Sequence, residues 1–308
     1  MTTNNKTLKM KHKSNNNSKH HNKSMKNFKK KSCSPSSKNN YTCYDNESLL
    51  KMKKLWNMRH PDRKILSTNA KDIWEGLKNN MLNVCNNEKC WLKQQFMDNN
   101  LTTDLSLYTF APSAPETWVG NPNEWLNSND IIKVMQQYEH KYKNFDFIGP
   151  SPIDFDTVID DVCVWPEICN FDLIKQIKKN KTKIGFIFNL DKHDMGGSHW
   201  LTLFVDVNKK FILFFNSTGD EPTQEIRKLI ERIQKQANSI NLDLKYLENE
   251  KNHQRENTEC GIYCLYCISE LLENNKEPEY FLTHRIPDKK MEELRYHFFN
   301  KYSKEINI

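Results

Sequence analysis

The sequence has no apolar run long enough to cross a lipid bilayer, and its polar N-terminus lacks the apolar segment of a secretory signal. We therefore expect a protein that is neither embedded in a membrane nor secreted. No internal repeat is visible. The nine cysteines are an odd number at irregular spacing, which is typical of thiols in a reducing compartment rather than of a disulfide framework.

Acidic residues are absent from the first 44 positions, which hold eleven lysines and few side chains that a core could bury. Removing those eleven charges from the net charge of +7 leaves −4 for residues 45–308, so the basic character belongs to this tail. The composition predicts disorder over residues 1–44. It favours attachment to nucleic acid or another polyanion, or a nuclear address at Lys29-Lys30-Lys31, and a merely solubilising tail is an equal alternative.

Residues 45–124 are predicted to form a helical N-terminal region ahead of a main domain at residues 125–308. Two amphipathic helices are expected in it, with apolar positions at Leu49, Met52, Leu55 and Trp56 in the first and at Ile73, Leu77 and Met81 in the second. Asn69 and Asp72 have the spacing of a helix cap. Cys85 and Cys90 lack a second pair of metal ligands nearby, so we interpret them as core residues rather than a zinc site.

The main domain changes from helical periodicity to short apolar runs. Four strands are predicted, at residues 183–190, 199–206, 210–215 and 242–247, with a helix entering at Pro222 between the last two. An earlier apolar run, residues 145–148, is broken by Gly149-Pro150-Ser151-Pro152. The expected fold class is α+β, with a small central sheet flanked by helices.

Cys260 stands where a polar loop gives way to a helix-periodic apolar run. Asn257 or Thr258 is expected to cap this helix, which places Cys260 in its first turn. Unpaired N–H groups and the helix dipole favour a thiolate at that position. Cys264 and Cys267 share a helical face with Cys260, and we interpret them as packing residues because no further metal ligands accompany them.

Three other polar residues complete a set suited to nucleophilic catalysis. His199 begins one strand and Asn216 ends its hairpin neighbour, so Asn216 is expected to accept a hydrogen bond from the imidazole and orient it. Gln254 precedes Cys260 by six positions, close enough to direct its amide at an oxyanion beside the Cys260 N–H. Trp200, next to His199, is expected to shield the ring from water. A nucleophile, a base, an orienting group and an oxyanion donor are therefore all present.

These residues resemble the signature of the ubiquitin-like-protein-specific cysteine proteases, the SUMO protease or adenain-like group. The matching segments are His199-Trp200, Asn216, Gln254, Thr258-Glu259-Cys260-Gly261 and the helix entry at Trp125-Leu126-Asn127. Cellular SUMO proteases usually carry Asp where this chain has Asn216. In that respect the chain resembles the virion-maturation proteases of large DNA viruses, such as African swine fever virus and the giant viruses.

The resemblance implies a papain-like, adenain-like α+β fold and a thiol protease that needs no metal or cofactor. It implies catalytic roles for His199, Asn216, Gln254 and Cys260, and substrate binding by Trp125 and Trp200. Its expected substrates are viral structural polyproteins with Gly-Gly-X sites, and its expected location is the virion and the host cytoplasm. Two alternatives remain open: an isopeptidase that removes SUMO or a related modifier, and a basic-tailed scaffold that binds nucleic acid through an inactive protease fold.

Overall fold

The computed structural model describes residues 33–37 and 41–302. Within them, residues 46–98 form one compact unit, while residues 33–37, 41–45 and 99–302 belong to a second. The division differs from the predicted boundary after residue 124, since residues 99–124 belong with the second unit. No helix in the described ranges combines the length and the apolar character needed to cross a membrane.

The first unit is helical, as its periodicity predicts. Its helices are α1 (Asn46–Arg59), α2 (Ala70–Met81) and α3 (Glu88–Trp91). The Asn69 side chain accepts hydrogen bonds from the N–H groups of Lys71 and Asp72, so the predicted cap of α2 is confirmed. The apolar stripe of α2 at Ile73, Leu77 and Met81 is buried.

The second unit carries a five-stranded sheet and a two-stranded one. Its helices are α4 (Asn99–Tyr108), α5 (Ser128–Lys141), α6 (Pro166–Cys169), α7 (Leu173–Lys178), α8 (Gln224–Asn238), α9 (Cys260–Leu272), α10 (Pro278–Thr283) and α11 (Asp288–Phe298), with a 3-10 turn at Glu116–Val119. Its strands are β1 (Phe145–Pro152), β2 (Val158–Ile159), β3 (Val162–Cys163), β4 (Lys183–Asn189), β5 (Trp200–Asp206), β6 (Phe211–Phe215) and β7 (Lys245–Glu248).

The large sheet has the strand order β1-β4-β5-β6-β7. The four predicted strands correspond to β4, β5, β6 and β7. Strand β5 pairs antiparallel with both β4 and β6, and β7 pairs parallel with β6. The edge strand β1 was predicted only as an apolar run, because its two prolines argue against a strand. A register shift between Ile148 and Ser151 accommodates Pro150, and Pro152 is the last residue of β1, paired with Asn189 of the parallel strand β4.

Helices cover both faces of the sheet. Helix α9 packs on one face, where Ile187, Phe204 and Leu213 are buried beside its apolar residues. Helix α8 covers the other face through Ile226, Leu229, Ile230 and Ile233. With both faces buried, the central strands β4, β5 and β6 are mostly apolar, and polar side chains such as Asp206 and Asn216 lie at or just beyond the strand ends.

Six of the nine cysteines are paired, which corrects the prediction of free thiols. The disulfides are Cys33–Cys43, Cys85–Cys90 and Cys163–Cys169. Each closes a short loop, of ten, five and six residues in sequence, so folding of the local chain brings the partners together. Cys85 is buried as expected, but as a bonded half-cystine. Cys260, Cys264 and Cys267 are free and buried.

The end of the predicted disordered tail also differs from expectation. Tyr44 is fully buried and packs edge-on against Phe110, and Cys33 forms a β-bridge with Phe110. The described residues 33–37 and 41–44 are thus part of the second unit. The lysine cluster at residues 29–31 and the remaining tail residues lie outside the described ranges.

A buried lysine closes the C-terminal end of α9. Lys183, at the start of β4, donates hydrogen bonds to the carbonyls of Leu271 and Leu272 at 3.1 and 3.0 Å, and lies 3.6 Å from the Asp206 carboxylate. Burial lowers the pKa of Lys183, and the neighbouring Asp206 opposes that shift. The lysine satisfies carbonyls that a helix end leaves unpaired and adds a cation at the negative end of the helix dipole.

We expect Lys183→Met to lower the free energy of unfolding by about 3–5 kcal/mol, because it leaves Asp206 and the helix carbonyls buried without their partner. Urea denaturation monitored by fluorescence measures the change. The matched control is Lys209→Met, which removes an exposed ion pair with Glu277 and is expected to cost less than about 1 kcal/mol. Equal losses in the two variants would contradict the role given to Lys183.

Candidate active site

Cys260 is the first residue of α9, so its predicted place in the first turn is confirmed. The predicted caps are not: Glu259 is the N-cap, and it makes no side-chain capping hydrogen bond. Close packing explains why a glycine, Gly261, follows the cysteine. A Cβ atom on Gly261 would lie 3.0 Å from the Leu126 Cβ, so only glycine lets the helix start pack directly on that segment.

Glu259 replaces capping with a buried ion pair. Its two carboxylate oxygens accept hydrogen bonds from Arg295 Nε at 2.9 and 2.8 Å, and both side chains are almost completely buried. The same guanidinium donates to the Glu124 carbonyl at 2.7 Å and the Thr258 carbonyl at 3.2 Å. Its carbon also lies 4.7 Å from the centre of the Trp118 ring. Arg295 thereby holds the residues before Cys260 and the residue before Trp125 in one arrangement.

The Cys260 thiol is buried, and burial is the largest influence on it. Burial raises the pKa of Cys260, while hydrogen bonds from the N–H groups of Trp200 and Gly261 act in the opposite direction. The predicted effect of the helix start is present, but burial outweighs it. Burial thus favours the thiol over the thiolate, and the Trp200 N–H places the sulfur beside the peptide that joins His199 to Trp200.

His199 and Asn216 are in direct contact, so the predicted hydrogen bond between them is confirmed. His199 Nε2 lies 2.8 Å from Asn216 Oδ1. The backbone N–H of Thr218 also donates to that Asn216 atom, at 3.1 Å, which identifies it as the amide oxygen. His199 Nε2 therefore carries the hydrogen, and Nδ1 is the basic nitrogen of the neutral ring. The described residues show no hydrogen bond between this ring and the Cys260 thiol.

Further hydrogen bonds hold Asn216 in place. Its Nδ2 donates to the Asp220 carbonyl at 3.1 Å. Its backbone N–H donates to Asn249 Oδ1, and its carbonyl accepts from Asn249 Nδ2, both at 2.8 Å. Asn249 is fully buried just after β7, so its side chain extends the pairing of β6 and β7 by one residue. These hydrogen bonds tie the strand end that carries Asn216 to β7.

Gln254 is joined to the residue after Asn216. Its Oε1 accepts a hydrogen bond from the Ser217 hydroxyl at 2.8 Å, and its backbone N–H donates to the Ser217 carbonyl at 2.9 Å. Since Oε1 is occupied, the side-chain NH2 group is the part of Gln254 left to donate elsewhere. Two pairs of consecutive residues thus connect the predicted site: His199 with Trp200, and Asn216 with Ser217.

A cavity of about 490 Å³ opens beside His199. Trp125 and Trp200 line it, together with the loop at residues 195–198 and the wall at residues 150–152. Trp125 is 44% exposed, whereas Trp200 is buried and its indole Nε1 donates to the Leu126 carbonyl at 2.9 Å. One tryptophan is fixed by a hydrogen bond and the other is open to solvent, and both border the approach to His199.

Several residues of the site escaped the sequence analysis. Ser217, Thr218 and Asn249 sit in polar loops, where a single sequence gives no signal that distinguishes a structural amide or hydroxyl from a solvated one. Glu259 and Arg295 are 36 positions apart, and their pairing depends on how α11 packs against α9. A glutamate directly before the cysteine, at the start of an apolar helix, was the one available signal that a cation had to lie nearby.

The chain is similar in sequence and in fold to known proteins. The model of the Ulp1 protease family, C-terminal catalytic domain, matches residues 127–307. A putative thiol protease of Acanthamoeba polyphaga mimivirus is 29% identical over 255 residues, which cover 76% of this chain and 82% of that protein. A SUMO-1 cysteine protease of African swine fever virus is 31% identical over 221 residues, covering 68% of this chain and 78% of that protein.

The fold has a match among solved structures. The crystal structure of an African swine fever virus protease superposes with a TM-score of 0.62 at 24% identity, covering 88% of this chain and 96% of that one. The predicted fold class, a small sheet flanked by helices with an additional helical N-terminal region, is confirmed by this likeness.

We expect iodoacetamide to modify Cys260 slowly at neutral pH and faster as the pH rises. Only the thiolate reacts, and burial keeps this thiol protonated to a higher pH than an exposed cysteine. The rate is measured by mass spectrometry of the Cys260 peptide, with Cys260→Ala identifying the signal and urea-unfolded protein as the reference. A folded protein that reacts at pH 7 as fast as the unfolded one would contradict the burial argument.

Proposed function

Because this chain belongs to the Ulp1 protease family and is a cysteine-type peptidase, we propose that it cleaves viral structural polyproteins after Gly-Gly sequences. The carrying observation is the cleft beside His199, with Trp125 and Trp200 on its border. A side chain next to the scissile bond would meet an indole there, whereas two glycines leave room for an extended backbone. The family relationship establishes the class of reaction, and this geometry supports the choice of substrate.

The His199–Asn216 pair supports a role for His199 as general base. In this proposal Nδ1 of His199 takes the proton of the Cys260 thiol, and the thiolate attacks the carbonyl carbon of the second glycine. The imidazolium then gives its proton to the leaving amine, and water releases the acyl-enzyme. A protonated, buried Cys260 fits this sequence, because the proton has to move only when a substrate carbonyl is in place.

The oxyanion that forms during attack needs donors. We assign this role to the Cys260 backbone N–H, which lies at the start of α9, and to the Gln254 amide. Ser217 occupies Gln254 Oε1, so the amide offers its NH2 group. Asn216 acts on the base: its oxygen accepts from His199 Nε2 and so selects the tautomer with a basic Nδ1.

The viral setting is part of the proposal. The relatives reported above are viral proteases, which supports processing of virion proteins in the host cytoplasm and in the particle. The eleven lysines of the tail favour a polyanion, such as packaged nucleic acid, as an additional partner. Attachment of that kind would keep the protease among structural proteins that assemble on the genome.

We expect a Gly-Gly peptide that ends in a vinyl electrophile to label the wild-type protein at one site, Cys260, at near-neutral pH. Binding in the cleft brings the electrophile to the thiol and lets His199 accept the proton. Cys260→Ala is expected to abolish labelling, and His199→Ala to slow it by about 10²–10⁴-fold. Intact-mass spectrometry and peptide mapping give the extent and the site.

Two controls make the result specific to glycine. The same electrophile on an Ala-Ala peptide is expected to label at least about tenfold more slowly, because its methyl groups meet the tryptophans. Trp125→Ala is expected to reduce that discrimination. Labelling spread over several cysteines, or equal rates with the two peptides, would contradict the proposed Gly-Gly cleft. Faster release of SUMO from a conjugate than cleavage of a Gly-Gly polypeptide would favour the isopeptidase.

Asn216→Asp is expected to lower kcat/KM, even though cellular SUMO proteases usually carry aspartate there. The Asn216 Nδ2 donates to the Asp220 carbonyl, and a carboxylate would set an oxygen against that carbonyl. Asn216→Ala, which removes the contact to His199 as well, is the comparison. We expect the aspartate variant to lose about tenfold in peptide cleavage, and a fully active aspartate variant would show that the Asp220 contact does not matter.

A further inference from the structure

We infer that Ser217 is a positioning residue for the oxyanion donor, acting through Gln254. The inference rests on the proposed role of Gln254 and deepens it. Ser217 is 1% exposed and lies directly after Asn216 at the end of β6. Its hydroxyl makes one hydrogen bond among the described residues, to Gln254 Oε1 at 2.8 Å. This buried hydroxyl therefore acts on the position of the Gln254 side chain, the proposed oxyanion donor.

The task of the Ser217 hydroxyl is to hold the Gln254 amide by its oxygen, so that its NH2 group is left to donate. A glutamine amide presents an acceptor at one end and two donors at the other, and rotation of the last torsion exchanges them. An oxyanion needs the donor end. The Ser217 hydroxyl donates to Oε1, which leaves the NH2 group of Gln254 free to donate to an oxyanion. In the exchanged orientation the hydroxyl would instead accept from the NH2 group, and the amide oxygen would face the oxyanion.

The backbone of Gln254 is held separately. The Ser217 carbonyl accepts from the N–H groups of His253 and Gln254, both at 2.9 Å. The buried His253 ring bonds to the Phe281 carbonyl and to the Ile286 N–H, which fixes the other side of the segment. None of these contacts uses the Ser217 side chain. Loss of the hydroxyl is therefore expected to release the amide while leaving the loop in place.

The loop that carries Ser217 approaches the Gln254 segment closely. Gly219 has φ +81°, and a Cβ atom there would lie 2.8 Å from the Glu250 carbonyl oxygen and from the Lys251 carbonyl carbon. Together with the Asn249 contacts to Asn216, this packs residues 216–219 onto residues 249–254. The segment that orients His199 is thus the one that orients Gln254, and the base and the oxyanion donor share a single support.

A double-mutant cycle tests the inference, with wild type, Ser217→Ala, Gln254→Ala and the double variant assayed on a Gly-Gly peptide. Gln254→Ala is expected to lower kcat by about 10²–10³-fold. Ser217→Ala is expected to lower kcat by about tenfold with KM unchanged, because a misoriented amide fails only in the transition state. In the Gln254→Ala background, Ser217→Ala is expected to add nothing.

Ser269→Ala is the matched control. It removes another buried serine hydroxyl, which bonds to the Tyr266 carbonyl within α9, and is expected to leave kcat unchanged. The thermal midpoints of all variants show whether a loss of kcat comes from loss of folding or from loss of positioning. An equal loss of kcat in Ser269→Ala would mean that removing any buried serine hydroxyl lowers activity, and it would overturn the inference.

The remaining outcomes separate the inference from the proposed function. If Ser217→Ala lowers kcat equally in both backgrounds, it does not act through Gln254 and the inference is overturned. If Gln254→Ala is fully active, Gln254 is not an oxyanion donor and the inference fails with it. In that case labelling of Cys260 by the Gly-Gly electrophile still decides whether the proposed peptidase chemistry at Cys260 stands.

Discussion

The buried ion pair between Arg295 and Glu259 is the constraint on which the candidate site depends. Two opposite charges inside a protein are stable only when each has its full set of partners, and Arg295 meets that condition with the Glu259 carboxylate and the carbonyls of Glu124 and Thr258. Those partners lie just before Cys260 on one side and just before Trp125 on the other. The position of the nucleophile and the border of the cleft therefore depend on one guanidinium from the last helix.

The antiparallel hairpin of β5 and β6 organises the rest. It places His199 and Trp200 at the start of one strand and Asn216 and Ser217 just beyond the end of its neighbour. The start of β5 supplies His199 to the His199–Asn216 pair and the Trp200 N–H to the Cys260 thiol. The end of β6 supplies Asn216 to that pair and the Ser217 hydroxyl to Gln254. Both faces of this hairpin are buried, so packing on each side fixes where the two strand ends meet.

The sequence predicted those parts of the molecule that obey local rules. Helix periodicity located α1, α2 and α9, strand periodicity located β4 to β6, and the hairpin geometry predicted the contact of His199 with Asn216. The edge strand β1 escaped because its prolines violate the local rule and a register shift compensates. The catalytic roles of His199, Asn216, Gln254 and Cys260 remain predictions that follow from their types and spacing.

What local rules could not supply is the set of long-range polar contacts. Arg295 with Glu259, Asn249 with Asn216, and Ser217 with Gln254 each join segments more than 30 positions apart. Such pairs depend on the packing of whole elements, and no periodicity encodes them. The disulfides were missed for another reason: their cysteines are close in sequence, but only the folded loops reveal that their side chains face one another.

The burial of Cys260 also bears on how this protein meets oxidants and drugs. Peroxide attacks a thiolate, so a protonated sulfur with 2% exposure offers little of the form that is converted to sulfenic acid. A small, unselective electrophile reacts slowly with Cys260 for the same reason. A compound that binds through its own contacts stays beside the buried sulfur long enough for a slow reaction to occur. Selective inhibitors of this protein would therefore owe their potency to those binding contacts rather than to the strength of their reactive group.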